Sequence, residues 1–422
     1  MYLTNEEEKI LEGEFGYIAQ KAMKFLIKYG EAAGAERLVD IDGTVSYNPN
    51  VSWFPEIAVT HDELVELAAK GEKFKVPTFS IQMAPGLIVD GWDKCGCWPQ
   101  NDPEYHNKRM ESIKPHIKMG LIPTLSCDFY LFSSFLPTVG QHCAWHESSA
   151  IPWVNAILGA RSNLDGCFEA AYLGKIPAYD MHLEENRKAT RLVECKVDLR
   201  SDMDYELFGW AVGEAVGIEV PCIIGIGKPT TTQIVKMNAA LNTGGQVRMY
   251  HAPGLTPEAP TIEHALSGKQ CEEKIFINHN DLRKVYEKIN YAVNRNVDFV
   301  YLGCPHYNIQ EVYKVAKLLE GKKCKANLWV MTSPLIFKQA EMMGLKDIIE
   351  KSGGVLLSGT CPGLMRGTIP PANVMATDSA KQGYYITGYF DPPRKLEVWY
   401  GTVEDCINAA LSGKWNGEWR NY

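Results

Sequence analysis

No run of residues in this chain is apolar for long enough to span a bilayer. The start, Met1-Tyr2-Leu3-Thr4-Asn5-Glu6-Glu7-Glu8-Lys9, is acidic and lacks the basic-then-apolar pattern of a signal peptide. The expectation is a cytoplasmic protein with no membrane partner. Positive charge is scarce too. Lys and Arg number 43 against 51 Asp and Glu, a formal net charge of -8. Nucleic-acid binding needs clustered cations, so no nucleic-acid partner is expected. Compact Cys-x-x-Cys pairs are missing. The 12 cysteines therefore read as reduced thiols, buried hydrophobes or scattered metal ligands rather than a disulfide framework. Internal repeats and low-complexity tracts are absent. The turn Gly225-Ile226-Gly227-Lys228-Pro229-Thr230 fails as a phosphate loop, because Pro229 replaces the required Ser or Thr and Cys222 the first glycine. It fails as a dinucleotide turn because Thr230 stands where a third small residue belongs. Lys228 remains a candidate anion contact.

What is present is a globular composition, 45% hydrophobic and 22% charged over 422 residues. That length exceeds one ordinary core and predicts two or three domains. A division near residue 200 gives an N-terminal α/β region over 1–200 and a second α/β region over 201–422. Thr4 and Glu7 fit a capping box, and the apolar spacing predicts a helix over 8–29. Further helices are expected at 103–118 and 148–158, and a strand at 76–82. Beyond about residue 194 the pattern alternates. Strands are expected at 222–226, 247–251, 274–277, 298–302, 327–331 and 355–357. Helices are expected at 205–216, 232–241, 280–294, 309–319, 334–343 and 403–411. Such alternation argues for mostly parallel sheets covered by helices.

Three cysteines stand where such sheets place their ligands, beyond the carboxyl ends of strands. Cys304 lies in Val300-Tyr301-Leu302-Gly303-Cys304-Pro305-His306. Cys361 follows Gly354-Val355-Leu356-Leu357-Ser358-Gly359-Thr360, and Cys127 follows Leu121-Ile122-Pro123-Thr124-Leu125-Ser126. Pro305 and Pro362 are expected to stop the first two strands. Free cysteine often only packs, but three thiols at strand-to-loop junctions suit a metal. Thiolates favour zinc, copper(I) or iron–sulfur centres, and spacing does not choose among them. Cys95-Gly96-Cys97 is a rival ligand pair, too closely spaced for a zinc knuckle, and reads as part of a Trp-rich packed loop. Cys143, Cys167, Cys195, Cys222, Cys271, Cys324 and Cys406 read as core or incidental.

The stretch His142-Cys143-Ala144-Trp145-His146-Glu147-Ser148-Ser149 is dense in acid–base groups. A helix cap accounts for Glu147, Ser148 and Ser149, and the same helix start suits an anionic substrate. His142, His146 and Glu147 are the candidate catalytic residues, for tuning or proton relay. Arg161, in Arg161-Ser162-Asn163, is either a fork for a carboxylate or an exposed turn arginine.

Several of these motifs together resemble one family. They are Gly140-Gln141-His142, Ala144-Trp145, Glu147-Ser148-Ser149-Ala150, Asn155, Gly159-Ala160-Arg161-Ser162-Asn163, Gly254-Leu255-Thr256-Pro257-Glu258-Ala259, Leu302-Gly303-Cys304-Pro305-His306 and Thr360-Cys361-Pro362. They resemble the large subunit of aconitase X, a branch of the aconitase superfamily. Leu3-Thr4, Gly13 and Asp378-Ser379-Ala380-Lys381 also fit, so the resemblance spans nearly the whole chain. It implies an aconitase-like, multi-domain α/β fold with mostly parallel sheets flanked by helices around a central cleft. It implies a dehydratase that binds iron through three cysteines, here Cys127, Cys304 and Cys361. The centre is a 2Fe-2S or 4Fe-4S iron–sulfur cluster or a mononuclear iron. Implied substrates are small hydroxy acids such as mevalonate 5-phosphate or cis-3-hydroxy-L-proline. Candidate substrate contacts are Ser46, Ser148, Ser149, Asn155, Arg161, Asn163, Lys228 and His306. The implied partner is a small swivelling-domain subunit carrying a serine base. The chain departs from the pattern at Asp128-Phe129-Tyr130, at Asp42-Gly43-Thr44-Val45-Ser46-Tyr47-Asn48-Pro49 and at Gln82-Met83-Ala84-Pro85-Gly86. Those departures imply a retained metal scaffold and an altered substrate pocket. A zinc hydrolase and an iron–sulfur sensor on the same scaffold are the rival readings.

Overall fold

Helices start where a short polar side chain can serve the free N–H groups of the first turn. The computed structural model of the chain describes residues 1–419 except 50, 51, 53, 84–85, 269–273, 366–368 and 389–395; Cys271 and the Ala84-Pro85 step lie outside the described residues. Thr4 with Glu7, Ser201 with Asp204, Thr230 with Gln233, Asn308 with Glu311 and Thr402 with Asp405 each form a reciprocal capping box. The helix expected over 8–29 is two helices, Asn5–Glu12 and Tyr17–Ala32. Gly13 closes the first in the left-handed conformation, at φ 93°.

Three sheets are wholly parallel. Val45–Tyr47, Thr78–Ser80 and Leu121–Ile122 form the first. Pro221–Ile224, Arg191–Cys195 and Lys274–Ile277, in that order, form the second. The third runs Gly354–Ser358, Asn327–Thr332, Phe299–Tyr307, Val374–Thr377, Glu397–Tyr400. A short antiparallel pair joins Leu38–Asp40 to Lys175–Pro177. Every residue of Phe299–Tyr307 is buried, as a central parallel strand covered on both faces requires. This is the mostly parallel α/β architecture that the alternating pattern predicts.

Some expected elements differ. The segment 247–251 makes only an isolated bridge, Cys222 with His251. The helix expected over 148–158 contains a π-helical turn, Trp153–Ile157. Pro305 does not stop its strand, which runs on to Tyr307. Val330 pairs with Leu302 and Thr332 with Tyr307, so 303–306 lie opposite Met331 alone. Pro305 therefore falls inside a bulge, where the ladder needs no N–H from it. The helices Leu345–Lys351 and Ala380–Gly388 and the strands Val374–Thr377 and Glu397–Tyr400 were not anticipated.

Packing then brings the sheets together. Helices Asp202–Val216 and Thr231–Gly245 touch backbone to backbone, since a Cβ on Gly209 would stand 2.5 Å from the Met237 carbonyl oxygen. The carboxyl ends of the first and third sheets open on one cleft. Asn48, Gln82 and Cys127 follow strands of the first sheet. Cys304 sits in the bulge of the third sheet's central strand, and Cys361 and Lys381 lie beyond strand ends of that sheet.

Candidate active site

The cleft holds a cavity of ≈ 440 Å³ whose walls include Cys127, Cys304 and Cys361. One strand bulge and two segments beyond strand ends therefore deliver the three thiols to one space. Gly303 is what turns Cys304 toward it. Its φ is 104°, and a Cβ there would lie 2.1 Å from the Met331 carbonyl oxygen. Only glycine fits, and the resulting bulge re-aims the next side chain.

His306 ties the three cysteine segments together. Its Nε2 is 2.9 Å from the Thr360 carbonyl oxygen, so that nitrogen donates, and its Nδ1 accepts from the Ser126 hydroxyl at 3.1 Å. Its backbone N–H donates to the Cys127 sulfur at 3.2 Å. Ser126 precedes Cys127, Thr360 precedes Cys361, and His306 itself is two residues past Cys304. Burial pushes the imidazole down to about 4. It is neutral, and both its nitrogens are occupied.

Lys381 is the cation among the described residues lining the cavity. Its Nζ donates to Glu147 Oε1 at 2.9 Å and to Ser148 Oγ at 3.0 Å. Burial alone would raise the Glu147 carboxyl, but Lys381 and the Ser149 N–H and hydroxyl hold it below its ordinary range. Burial likewise opposes charge on Lys381, but Glu147 and then Cys304 keep it well above its ordinary value. The two form an ionised buried pair. Gln82 Oε1 and Gln382 Nε2, in residues 3% and 2% exposed, have no hydrogen-bond partner and belong to cavity-lining side chains. Buried polar atoms of this kind call for an explanation, and a ligand supplies one.

Of the residues singled out from sequence, His146, Glu147, Ser148 and His306 line the cavity with the three cysteines. The others do not. Ser149 stands behind Glu147, and the Ser46 hydroxyl accepts from the His146 N–H at 3.2 Å. Asn155 bonds the Ser162 and Arg248 carbonyls and the Arg187 guanidinium. Asn163 bonds the Tyr179 carbonyl at 3.1 Å and accepts from Met181 N–H. Arg161 spends its guanidinium on the His182 carbonyl and on Glu184. His142 shares a 2.9 Å contact between Nδ1 atoms with His182, and burial and then His182 push it down to about 4. Lys228 is exposed and absent from the walls. The tail segment Asp378-Ser379-Ala380-Lys381 carried the resemblance, yet nothing in its spacing marked Lys381 as the cavity's cation. Gln82 and Gln382 carried no sequence signal beyond the departure at Gln82.

Among the described residues no three His, Cys, Asp or Glu side chains come together closely enough to hold a metal ion. The donor chemistry of the cavity is nonetheless that of a thiolate centre. Burial keeps all three thiols up, Cys304 at about 12. Against burial, each sulfur has a group that favours its anion: His306 N–H for Cys127, Lys381 and the Ser379 hydroxyl for Cys304, and the Leu364 and Gly363 N–H groups for Cys361. Hydrogen bonds to sulfur and nearby cations are what a metal-bound thiolate needs. The residues fit an iron or iron–sulfur group.

Parallel α/β sheets meeting at a thiol-lined cleft define an enzyme-like class with its site at the carboxyl strand ends. Within that class the chain belongs to the aconitase X family. It matches the family's first domain over residues 1–185, its second over 189–287 and its third over 297–412. It is 33% identical to the phosphomevalonate dehydratase large subunit of Methanocaldococcus jannaschii, over 97% of this chain and 100% of that protein. It is 29% identical to the cis-3-hydroxy-L-proline dehydratase of Hypocrea jecorina, over 97% of this chain and 69% of that protein. The crystal structure of Thermococcus kodakaraensis aconitase X in its holo form superposes with a TM-score of 0.77, at 33% identity, covering 97% of this chain and 100% of that one. No helix among the described residues is long and apolar enough to cross a membrane.

Proposed function

We propose that this chain is the large subunit of an iron-dependent hydro-lyase that removes water from a small hydroxy acid. Its relatives are dehydratases of that kind, and several are named as large subunits. The observation that carries the reading is the convergence of Cys127, Cys304 and Cys361 on one cavity with an ionised Lys381 and Glu147 pair. Cys127, Cys304 and Cys361 would hold the iron, as a mononuclear ion or within a 2Fe-2S or 4Fe-4S cluster. Bound there, it supplies Lewis-acid polarisation of the leaving hydroxyl.

The chain's own residues bind and orient. Lys381, charged at any working pH, meets the substrate carboxylate. Glu147 is its counter-ion and accepts a hydrogen from a substrate hydroxyl or ammonium. Gln82 Oε1 offers a second acceptor and Gln382 Nε2 a donor. Holding the substrate at several points removes entropy from the barrier. His306 moves no proton, because its two ring nitrogens hold the cysteine segments in register. His146, a neutral imidazole kept low by burial, lines the wall beside Glu147. The α-proton goes to a serine of a small swivelling subunit, as the family resemblance implies. We place the assembled enzyme in the cytoplasm, where its thiols stay reduced.

The test is anaerobic reconstitution with the small subunit and iron, followed by a screen of hydroxy acids that includes phosphomevalonate and 3-hydroxyproline. Cys304→Ala is expected to lose iron and turnover together. Retention of both would refute the ligand assignment. Stoichiometric zinc in place of iron would favour a hydrolase instead.

A further inference from the structure

Cys95 and Cys97 take no part in the cavity walls, yet their sulfurs lie 3.4 Å apart. We propose that these two residues form a peroxide-sensitive dithiol, a modification site separate from the three cavity cysteines, which closes to an internal disulfide. Three features of the loop support it. The Cys97 thiol donates its hydrogen to the Cys95 sulfur, so the pair is already aligned along the bond that oxidation would form. Gly96 between them has φ 72° and no atom within 4 Å of a built Cβ, so the turn that faces the sulfurs to each other is strain-free for glycine. The loop lies at the surface, with Trp98 76% exposed, while the sulfurs themselves are turned inward. Cys95 and Cys97 are themselves 2% and 6% exposed, which calls for an oxidant as small as hydrogen peroxide.

The chemistry balances with hydrogen peroxide as the named oxidant. Cys95, whose thiol is held below its ordinary value by the hydrogen bond from Cys97, attacks one peroxide oxygen as a thiolate. The O–O bond breaks, Cys95 becomes a sulfenic acid, and hydroxide leaves and takes a proton. The Cys97 sulfur then attacks the sulfenic sulfur, the S–O bond breaks, and water leaves. Two thiols lose two electrons and two protons, and one peroxide becomes two waters.

The position gives the modification a route to the cleft. The same loop is tied to Gly354–Ser358, the strand that leads to Cys361. Val89 N–H donates to the Ser358 carbonyl at 2.9 Å, Ser358 Oγ donates to Asp90 Oδ2 at 2.6 Å, and Lys94 pairs at 2.7 Å with Glu350 on the preceding helix, Leu345–Lys351. Cys95 and Cys97 also pack in one apolar cluster with Leu357 and Cys304.

The experiment uses the full chain, treated with graded hydrogen peroxide, alkylated with iodoacetamide and cut with trypsin. The peptide over 95–108 carries both residues and no other cysteine. It is expected to appear unalkylated and lighter by two hydrogens, and dithiothreitol is expected to restore alkylation. In Cys97→Ser, dimedone should capture a sulfenic acid at Cys95. In Cys95→Ser, peroxide consumption at this peptide should fall by roughly tenfold or more, as expected on losing the thiolate. The proposal is overturned if both cysteines alkylate fully at peroxide doses that already modify the Cys304 peptide. It is equally overturned if dimedone adds at Cys97 rather than Cys95. The readout needs neither iron nor substrate, so its failure is separate from failure of the dehydratase reading.

Discussion

Replacing Lys381 by methionine isolates the pair on which the cavity's electrostatics rest. Both partners are 12% exposed in their side chains, so solvent screens them little. Breaking a buried pair by removing one partner costs about 3–5 kcal/mol, because the other charge stays behind uncompensated. The pH dependence makes the test specific. In the wild type Glu147 titrates below its ordinary value of 4.5. Its contribution is present above 4.5 and is lost as pH falls through the lower folded value. In Lys381→Met burial, the largest effect on this carboxyl, is opposed by the Ser149 N–H and hydroxyl without the cation, and the folded value is expected to move above 4.5. Stability is then lost as pH rises from 4.5 toward that new value. The gap between wild type and variant therefore widens with pH, by about 1.4 kcal/mol for each pH unit between the two folded values. Adding Glu147→Gln removes the stranded charge. The double variant should be more stable than the sum of the two losses predicts, by about 1–3 kcal/mol. Urea unfolding at pH 4, 5, 6 and 7 reads all of this from midpoints. A gap that stays flat with pH, or strictly additive losses, would refute an ionised pair.

Three further outcomes are expected. His306→Leu removes both ring hydrogen bonds and should cost about 1–3 kcal/mol. Iron should also leave the assembled enzyme faster, followed by metal analysis after timed chelation, and an unchanged release rate would deny His306 its role across the three cysteine segments. Gln82→Leu should raise KM with little change in kcat, by roughly ten- to a hundredfold for a lost polar contact of about 1–3 kcal/mol; equal loss in kcat and kcat/KM would place that contact in the transition state instead. His116 is pushed down to about 3 by burial, with its Nδ1 2.5 Å from the Tyr47 hydroxyl. It binds fewer protons folded than unfolded between about 3 and its ordinary 6.5. Its contribution is complete above 6.5 and is lost as pH falls through that window. His116→Phe should flatten that part of the acid limb, and an unchanged limb in urea titrations would refute the assignment.

The alternation of apolar runs and amphipathic segments was legible because each has its own period, and most elements after residue 200 lie within a few positions of their expected places. The failures have local causes. One helix was read through Gly13 because a single glycine barely disturbs an apolar stripe over 8–29. Pro305 was read as a strand end because a bulge opposite Met331 is a property of the pairing partner. The three cysteines were legible as a set through the apolar runs that precede them, although Cys304 sits in a bulge rather than at a strand end. Lys381 was not, because its significance depends on where helix Ala380–Gly388 docks, and Glu147 lies 234 positions away in the chain. Arg161 and Asn163 show the converse. Polar motifs beside a predicted helix suggested substrate contacts, and the structure places both residues outside the described cavity wall, bonded to the carbonyls of His182 and Tyr179.

The region over 189–287 adds no described residue to the cavity wall, and yet it sets the site from behind. Glu206 accepts from Ala380 N–H at 2.9 Å, from the Tyr400 hydroxyl at 2.9 Å and from the Ser379 hydroxyl at 3.4 Å. Lys236 pairs with Asp378 at 2.8 Å, and the Tyr307 hydroxyl donates to the same carboxylate at 2.6 Å. Burial drives the Glu206 carboxyl up to about 7, so the fold bears a cost for placing it there. Stability alone is a poor reason to retain such a group, since apolar residues of similar volume often do as well. Position is a better one. Asp378, Ser379 and Ala380 are the three residues before Lys381, and Ser379 is also the hydroxyl that favours an anionic Cys304. Two carboxyl groups, one on the central region's own helix and one reached by its Lys236, thus fix the turn that aims both a serine at a thiol and a lysine at the cavity. The central region thus acts on the site by holding that turn, from behind the described residues of the cavity wall.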